Sequence, residues 1–178
     1  MTHDPFVVAL HVWPKDRTHP VPVDDLTCDW AGPKGDRHYG LTMLSDARQK
    51  AAFPRGTEIR NHRQVSIVDI SELSAIAANM GLADLEPGDI ADNIATSGIP
   101  HLTQLPPLTR LIFEGGVVIM TGGENLPCTI AGALVSDHYD TRPEAFPAAA
   151  MGLRGITGWI EHPGTIRAGE GIRLVSPT

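Results

Sequence analysis

A chain of 178 residues is long enough for one domain with a real core and too short for two comfortable ones. Its formal charge of -7 argues against a nucleic-acid partner, which needs a basic face. It leaves room for a small anionic ligand, because exposed charges are screened beyond about 8 Å. Fifteen Pro and eighteen Gly with 5% aromatics exclude a helical bundle and predict many turns and short strands.

Met1 to Pro5 lacks a basic start, and Phe6 to Val12 is too short for a signal or membrane segment. A cytoplasmic protein without a membrane partner is expected. Phe6 to Trp13 reads as a first strand ended by Pro14, and Lys15 to Asp25 as irregular polar chain. Gly32 to Gly40 sets charge between glycines, and Leu41 to Leu44 can form a short strand. Ser45 to His62 is charged and Pro-broken, a long surface loop of the kind that is more often functional than incidental.

Gln64 to Val68 alternates polar and apolar residues as a half-buried strand does. It runs into the clearest helix, with Asp69 and Glu72 as a capping box, Leu73, Ile76, Ala77 and Met80 as its core stripe, and Gly81 as its stop. Leu108 to Phe113 and Val117 to Met120 flank Glu114-Gly115-Gly116 as a β-hairpin. Asn125 to Cys128 follows as a loop stiffened by Pro127, and Thr129 to Tyr139 is compatible with a helix despite Gly132. Pro143 to Ala150 reads as a linker or short helix, and Gly155 to Glu161 and Gly171 to Val175 as closing strands. The sum is an all-β barrel or sandwich with minor helices. There is no G-x-G-x-x-G, P-loop or G-x-S-x-G pattern to support nucleotide or serine-hydrolase chemistry.

Cys28 and Cys128 form no C-x-x-C pair and no zinc spacing. Cys28 has no motif around it and reads as structural. Cys128, held by Pro127, is the candidate reacting or metal-binding atom, with a buried structural thiol as the alternative. Around it in sequence stand four polar pieces: Gly35-Asp36-Arg37-His38-Tyr39-Gly40, Asp92-Asn93-Ile94 with Thr96-Ser97-Gly98, Asn125 to Cys128, and Gly152-Leu153-Arg154-Gly155.

In this order and spacing the four pieces resemble the MOSC domain, the family named after the C-terminal domain of molybdenum-cofactor sulfurase. The likeness spans about Gly32 to Val175 and makes residues 1–178 a single MOSC-like domain. It implies a mainly β fold, a closed barrel similar to the pyruvate-kinase β-barrel, and a pocket for a molybdenum cofactor (molybdopterin) or another sulfur-containing ligand. It also implies that Cys128 either carries sulfur as a persulfide or ligates molybdenum. The pattern is that of free-standing bacterial members, in which the pyridoxal-phosphate domain is absent. Two departures stand out: Ala91-Asp92-Asn93-Ile94 replaces the usual Gly-Glu-Asn-Ile, and Leu126 precedes Pro127-Cys128 where a polar residue is common.

The residue types suit such chemistry. Reaction or soft-metal ligation needs thiolate, which is only a few per cent of a free thiol at pH 7 and is favoured by nearby cations. Arg37, His38, Arg63 and Arg154 are the candidates for that role, with His38 joining Cys128 as a catalytic candidate. Arginine also recognises phosphate through its planar fork of donors. Asp36, Asp92 and Asn93 can read a pterin edge, orient the arginines, or merely form turns, and Asn125 joins them as a cofactor-binding candidate.

Several functions remain open on these residues. One is reduction of N-hydroxylated compounds with Cys128 on molybdenum, which requires a separate redox protein. Another is persulfide transfer with sulfur from a cysteine desulfurase. A non-catalytic holding module for the cofactor, and a carbon–sulfur reaction on a small-molecule substrate, are the others.

Overall fold

The computed structural model describes residues 4–177. In chain order its elements are β1 Phe6–Val12, β2 Val21–Val23, β3 Asp25–Asp29, β4 Gly32–Pro33, β5 Thr42–Leu44, β6 Glu58–Arg60 and β7 Val65–Asp69. Helix α1 Ile70–Met80 then leads to β8 Ile94–Ser97, β9 Arg110–Phe113 and β10 Val118–Glu124. Helices α2 Thr129–His138 and α3 Ala145–Ala149 precede β11 Ile156–His162, β12 Gly164–Arg167 and β13 Ile172–Val175. The protein is mainly β with few helices.

Eight strands form one sheet in the order β13-β9-β10-β11-β7-β8-β1-β2. Every pairing in it is antiparallel except β7 with β8, whose parallel register requires the α1 crossover between them. Two smaller sheets, β12-β3-β4 and β5-β6, complete the β structure. No sheet among the described residues closes into a barrel, which departs from the barrel expected above. The large sheet curls until the start of β1 meets the segment before β13, but only Phe6 and Gly171 bridge there. The rest of that edge of β1, Leu10 to Val12, is taken by β2, so no room is left for a continuous closing ladder.

Alternation along the strands divides the apolar side chains into two cores. Val65 and Ile67 of β7 and Ile94 of β8 enter the first core with Leu10, Cys28 and Phe113. Val68 and Ala95, one residue on, turn to the opposite face and meet Leu73 and Ile76 of α1, Val135 of α2 and Phe146 of α3. Each large side chain removed from water in this way contributes about 1.5–3 kcal/mol.

Helix α1 begins and ends as its sequence predicts. Asp69 caps it by accepting from the Ser71 N–H, and Gly81 closes it at φ 71. Glu72 does more than a capping-box partner, because its carboxylate receives the Thr103 N–H at 2.8 Å and hydroxyl at 2.9 Å. Helix α2 forms despite Gly132, and the glycine is required there: a Cβ would lie 2.1 Å from the Pro143 carbonyl oxygen. Strand β10 continues through Gly122 and Gly123 to Glu124, further than the hairpin pattern reaches. The irregular Lys15–Asp25 stretch contains β2 and the start of β3, and the long charged loop contains β6 and a single 3₁₀ turn, Ala47–Gln49.

Candidate functional site

The Gly35–Gly40 loop is organised by Asp36 rather than left as a solvated turn. Asp36 is buried, and its carboxylate accepts from the Trp13 N–H at 2.8 Å, Asn93 Nδ2 at 2.8 Å, the His38 N–H at 2.8 Å and His38 Nδ1 at 3.0 Å. Burial alone would raise its pKa, but the bonds from His38 and Trp13 outweigh burial and hold the carboxyl below its ordinary range. An ionised carboxylate only accepts, so His38 Nδ1 must be the donor and Nε2 is left as the ring's free nitrogen. Arg37 stacks its guanidinium 3.7 Å from the Trp13 ring centroid and donates to the Pro14 and Arg17 carbonyls at 3.2 and 3.0 Å.

Asn93 is equally committed. Its Nδ2 also reaches the His11 carbonyl at 3.2 Å, and its Oδ1 accepts from the Ser66 N–H at 3.0 Å. Asp92 lies outside the cleft that Ala91 and Asn93 line. Its Oδ1 accepts from the Gly88 N–H at 2.9 Å, its Oδ2 has no partner, and burial raises its pKa against the pull of His11. Asp36, Asp92 and Asn93 therefore position backbone and side chains, and none of the three offers a free edge to a pterin. Ala91 adopts φ 64, the left-handed region that favours glycine, which explains the glycine usual at this place in the motif.

Asn125, Arg63 and Arg154 meet at one oxygen. Asn125 Oδ1 accepts from Arg63 Nη2 at 2.9 Å and from Arg154 Nη1 at 3.1 Å. Arg154 also donates to the Leu126 carbonyl at 3.0 Å and the Ile90 carbonyl at 3.3 Å. Gly155 makes this possible: at φ 80 its backbone passes so close to β7 that a Cβ would sit 1.9 Å from the Ile67 carbonyl oxygen. Among the described residues neither arginine has a carboxylate partner within 4.0 Å. Burial, then repulsion from Arg48 and Arg154, pushes Arg63 down to about 10. Arg154 is lowered by burial as well, and a Cys128 thiolate pulls it back up.

Cys128 sits at the N-cap of α2, where the helix presents unsatisfied N–H groups and the positive end of its dipole. It is half-buried and free, and so is not joined to Cys28. Cys28 is buried in the sheet, and burial, then Asp29, pushes its thiol up to about 12. Cys128 faces a cavity, an inner lobe of about 130 Å³ lined also by Arg48, Arg63, Asn93, Asn125 and Arg154. His38, Arg48 and Arg63 also line an outer lobe of about 350 Å³ that adds Lys15, Arg37 and Asp46. Of the sequence-predicted residues, Cys128, His38, Arg37, Arg63, Asn93, Asn125 and Arg154 line the two lobes, Asp36 stands behind His38 and Asn93, and Asp92 lies apart. Arg48 was missed because it stands in a charged loop with no motif. Its only signal was the loop's length and charge.

A known family accounts for this arrangement. The sequence profile of the MOSC domain matches residues 35–173. The chain belongs to the MOSC family. It is 41% identical over 157 residues to YuaD of Bacillus subtilis (strain 168), covering 86% of this chain and 81% of YuaD, whose name assigns it to metal-sulfur cluster biosynthesis. The crystal structure of Bacillus subtilis YuaD superposes with a TM-score of 0.92 at 36% identity, over 99% of this chain and 98% of YuaD. YiiM from Geobacillus stearothermophilus matches with a TM-score of 0.64 at 14% identity, over 97% of this chain and 75% of YiiM, and shows likeness of fold alone. The chain contains, among its described residues, no helix long and apolar enough to cross a membrane.

Proposed function

We propose that this MOSC protein handles sulfur through Cys128, accepting it as a persulfide and passing it to a small-molecule substrate or partner protein. One observation carries the reading: Cys128 caps α2 on a small cavity shared with Arg48, Arg63 and Arg154. Guanidinium groups and a helix N-terminus are the groups that would hold the negative charge of a sulfur group in transfer. His38, with Nδ1 tied to Asp36, is the group that would move a proton at the mouth of the cavity. A cysteine desulfurase is the natural sulfur source under this reading. The test is persulfide formation after incubation with a desulfurase and cysteine, read by alkylation and intact mass. The added sulfur should map to Cys128, vanish in Cys128→Ser and persist in Cys28→Ser; sulfur found on Cys28 alone would end the proposal.

A second reading makes Cys128 a thiolate ligand of a molybdenum cofactor. The outer lobe favours it, because Lys15, Arg37 and Arg48 line it and would hold the phosphate of such a group. Among the described residues no three His, Cys, Asp or Glu side chains are grouped to hold a metal ion, so the metal would arrive with its own ligands and take Cys128 as the protein's contribution. When bound, such a group supplies two-electron redox chemistry, and the electrons would come from a separate redox protein. Molybdenum content of wild-type and Cys128→Ala protein from cofactor-producing cells separates the readings. Near-stoichiometric metal lost in the variant would favour the second.

A further inference from the structure

We infer that the inner lobe is a site for a sulfur-donating sulfonate dianion, of which thiosulfate is the simplest, so that Cys128 can be charged with sulfur by a small molecule. The inference rests on the persulfide reading above and names the donor class for that same site. Three features of the lobe carry it. First, its positive charge is only partly compensated: Arg63 and Arg154 meet at a neutral amide oxygen, and Asp46 and Asp92 act on them without forming an ion pair. Second, Arg63 lines both lobes and, among the described residues, makes one side-chain hydrogen bond, from Nη2 to Asn125, so its other guanidinium donors are left for a ligand. An oxyanion in the lobe would supply acceptors for them. Third, the lobe's volume of about 130 Å³ suits a tetrahedral oxyanion rather than a cofactor-sized ligand.

The chemistry balances without an external oxidant. The Cys128 thiolate attacks the outer sulfur of thiosulfate, a new S–S bond forms, and the S–S bond of thiosulfate breaks. Its electron pair leaves on the sulfonate sulfur, which departs as sulfite, while the cysteine sulfur is oxidised to the persulfide level. Total charge is the same before and after. A thiolate and a dianion repel each other, and the arginines remove that repulsion while holding the sulfonate oxygens on which the departing charge collects.

The test uses the full-length reduced protein with sodium thiosulfate in excess and no other protein. Stoichiometric sulfite and a mass gain of one sulfur atom at Cys128 are expected. Arg154→Gln and Arg63→Gln should raise the thiosulfate concentration for half-loading about tenfold or more. Arg48→Gln, on an exposed residue whose loss cannot upset the core, should raise it several-fold and keeps the inference falsifiable if the buried variants fold poorly. Sulfate should compete, and chloride at matched ionic strength should not. A parallel arm loads the protein with inorganic polysulfide, which lacks a sulfonate. Loading by polysulfide but not thiosulfate, or thiosulfate loading indifferent to all three arginines, overturns the donor site and leaves the persulfide reading standing. Loading by neither overturns both.

Discussion

The two cysteines of this chain share a side chain and nothing else. Cys28 lies in β3 among Leu26, Ile166 and the rest of the inner core, 3% exposed, with its thiol pushed up to about 12. Cys128 stands at a helix N-terminus on a cavity with three arginines. Burial without a cation makes a thiol a small apolar residue; partial burial among cations makes it a candidate nucleophile. Reactivity here is a property of surroundings. The core face of a sheet supplies one kind, and the junction of a loop, a helix start and an arginine pair supplies the other.

The sharpest way to break this comparison is to exchange the sulfurs for oxygen one at a time. Cys128→Ser should abolish persulfide formation altogether, whereas Cys28→Ser should leave it near wild type, as measured by intact mass after sulfur loading. Next in size is the backbone that holds Arg154. Gly155→Ala adds a strained left-handed alanine to a clash with the Ile67 carbonyl, and should cost about 3 kcal/mol or more by urea unfolding.

Asp36→Asn should lower stability at pH 7 by about 1–3 kcal/mol, since an amide cannot accept all the bonds this carboxylate receives. The sign of its pH dependence follows from a folded pKa below the unfolded one. Ionised Asp36 stabilises the fold fully above the usual carboxylate range of about 4, and that share is lost as pH falls through the folded pKa. The variant should therefore show a shallower acid limb in stability against pH. Asn125→Asp places a charge between Arg63 and Arg154 and should raise stability by about 1 kcal/mol while weakening thiosulfate loading. A gain in both would show that the arginines do not serve an anion. The smallest effect is expected for Cys28→Ala, about 1 kcal/mol in urea unfolding with unchanged sulfur loading. In wild-type protein Cys28 should resist iodoacetamide at pH 8 until the chain is unfolded.

Much of the local structure was legible because it depends on neighbours in sequence. Asp69 and Gly81 bound α1 through contacts within a turn, and the β9–β10 hairpin follows from Glu114-Gly115-Gly116. Barrel closure was not legible, because it depends on how one edge of β1 is divided between β2 and Gly171. The same holds for the site. Cys128, Arg154 and Asn125 were identifiable from motif spacing, but the inward or outward aim of Asp92 and Asn93 is decided by the irregular backbone at Ala91. Arg48 carried no motif, and only the packing of its loop beside Arg63 brings it to the cavity.

By itself the sequence determined the mainly β character, helix α1 and the family, because turn chemistry, periodicity and short motifs are local. Only the tertiary structure decided that two arginines converge on the Asn125 oxygen without a carboxylate, that Asp36 is consumed in positioning, and that the lobe beside Cys128 is small. Charge compensation and cavity volume are sums over residues far apart in the chain, and a sum of that kind exists only once the chain has folded.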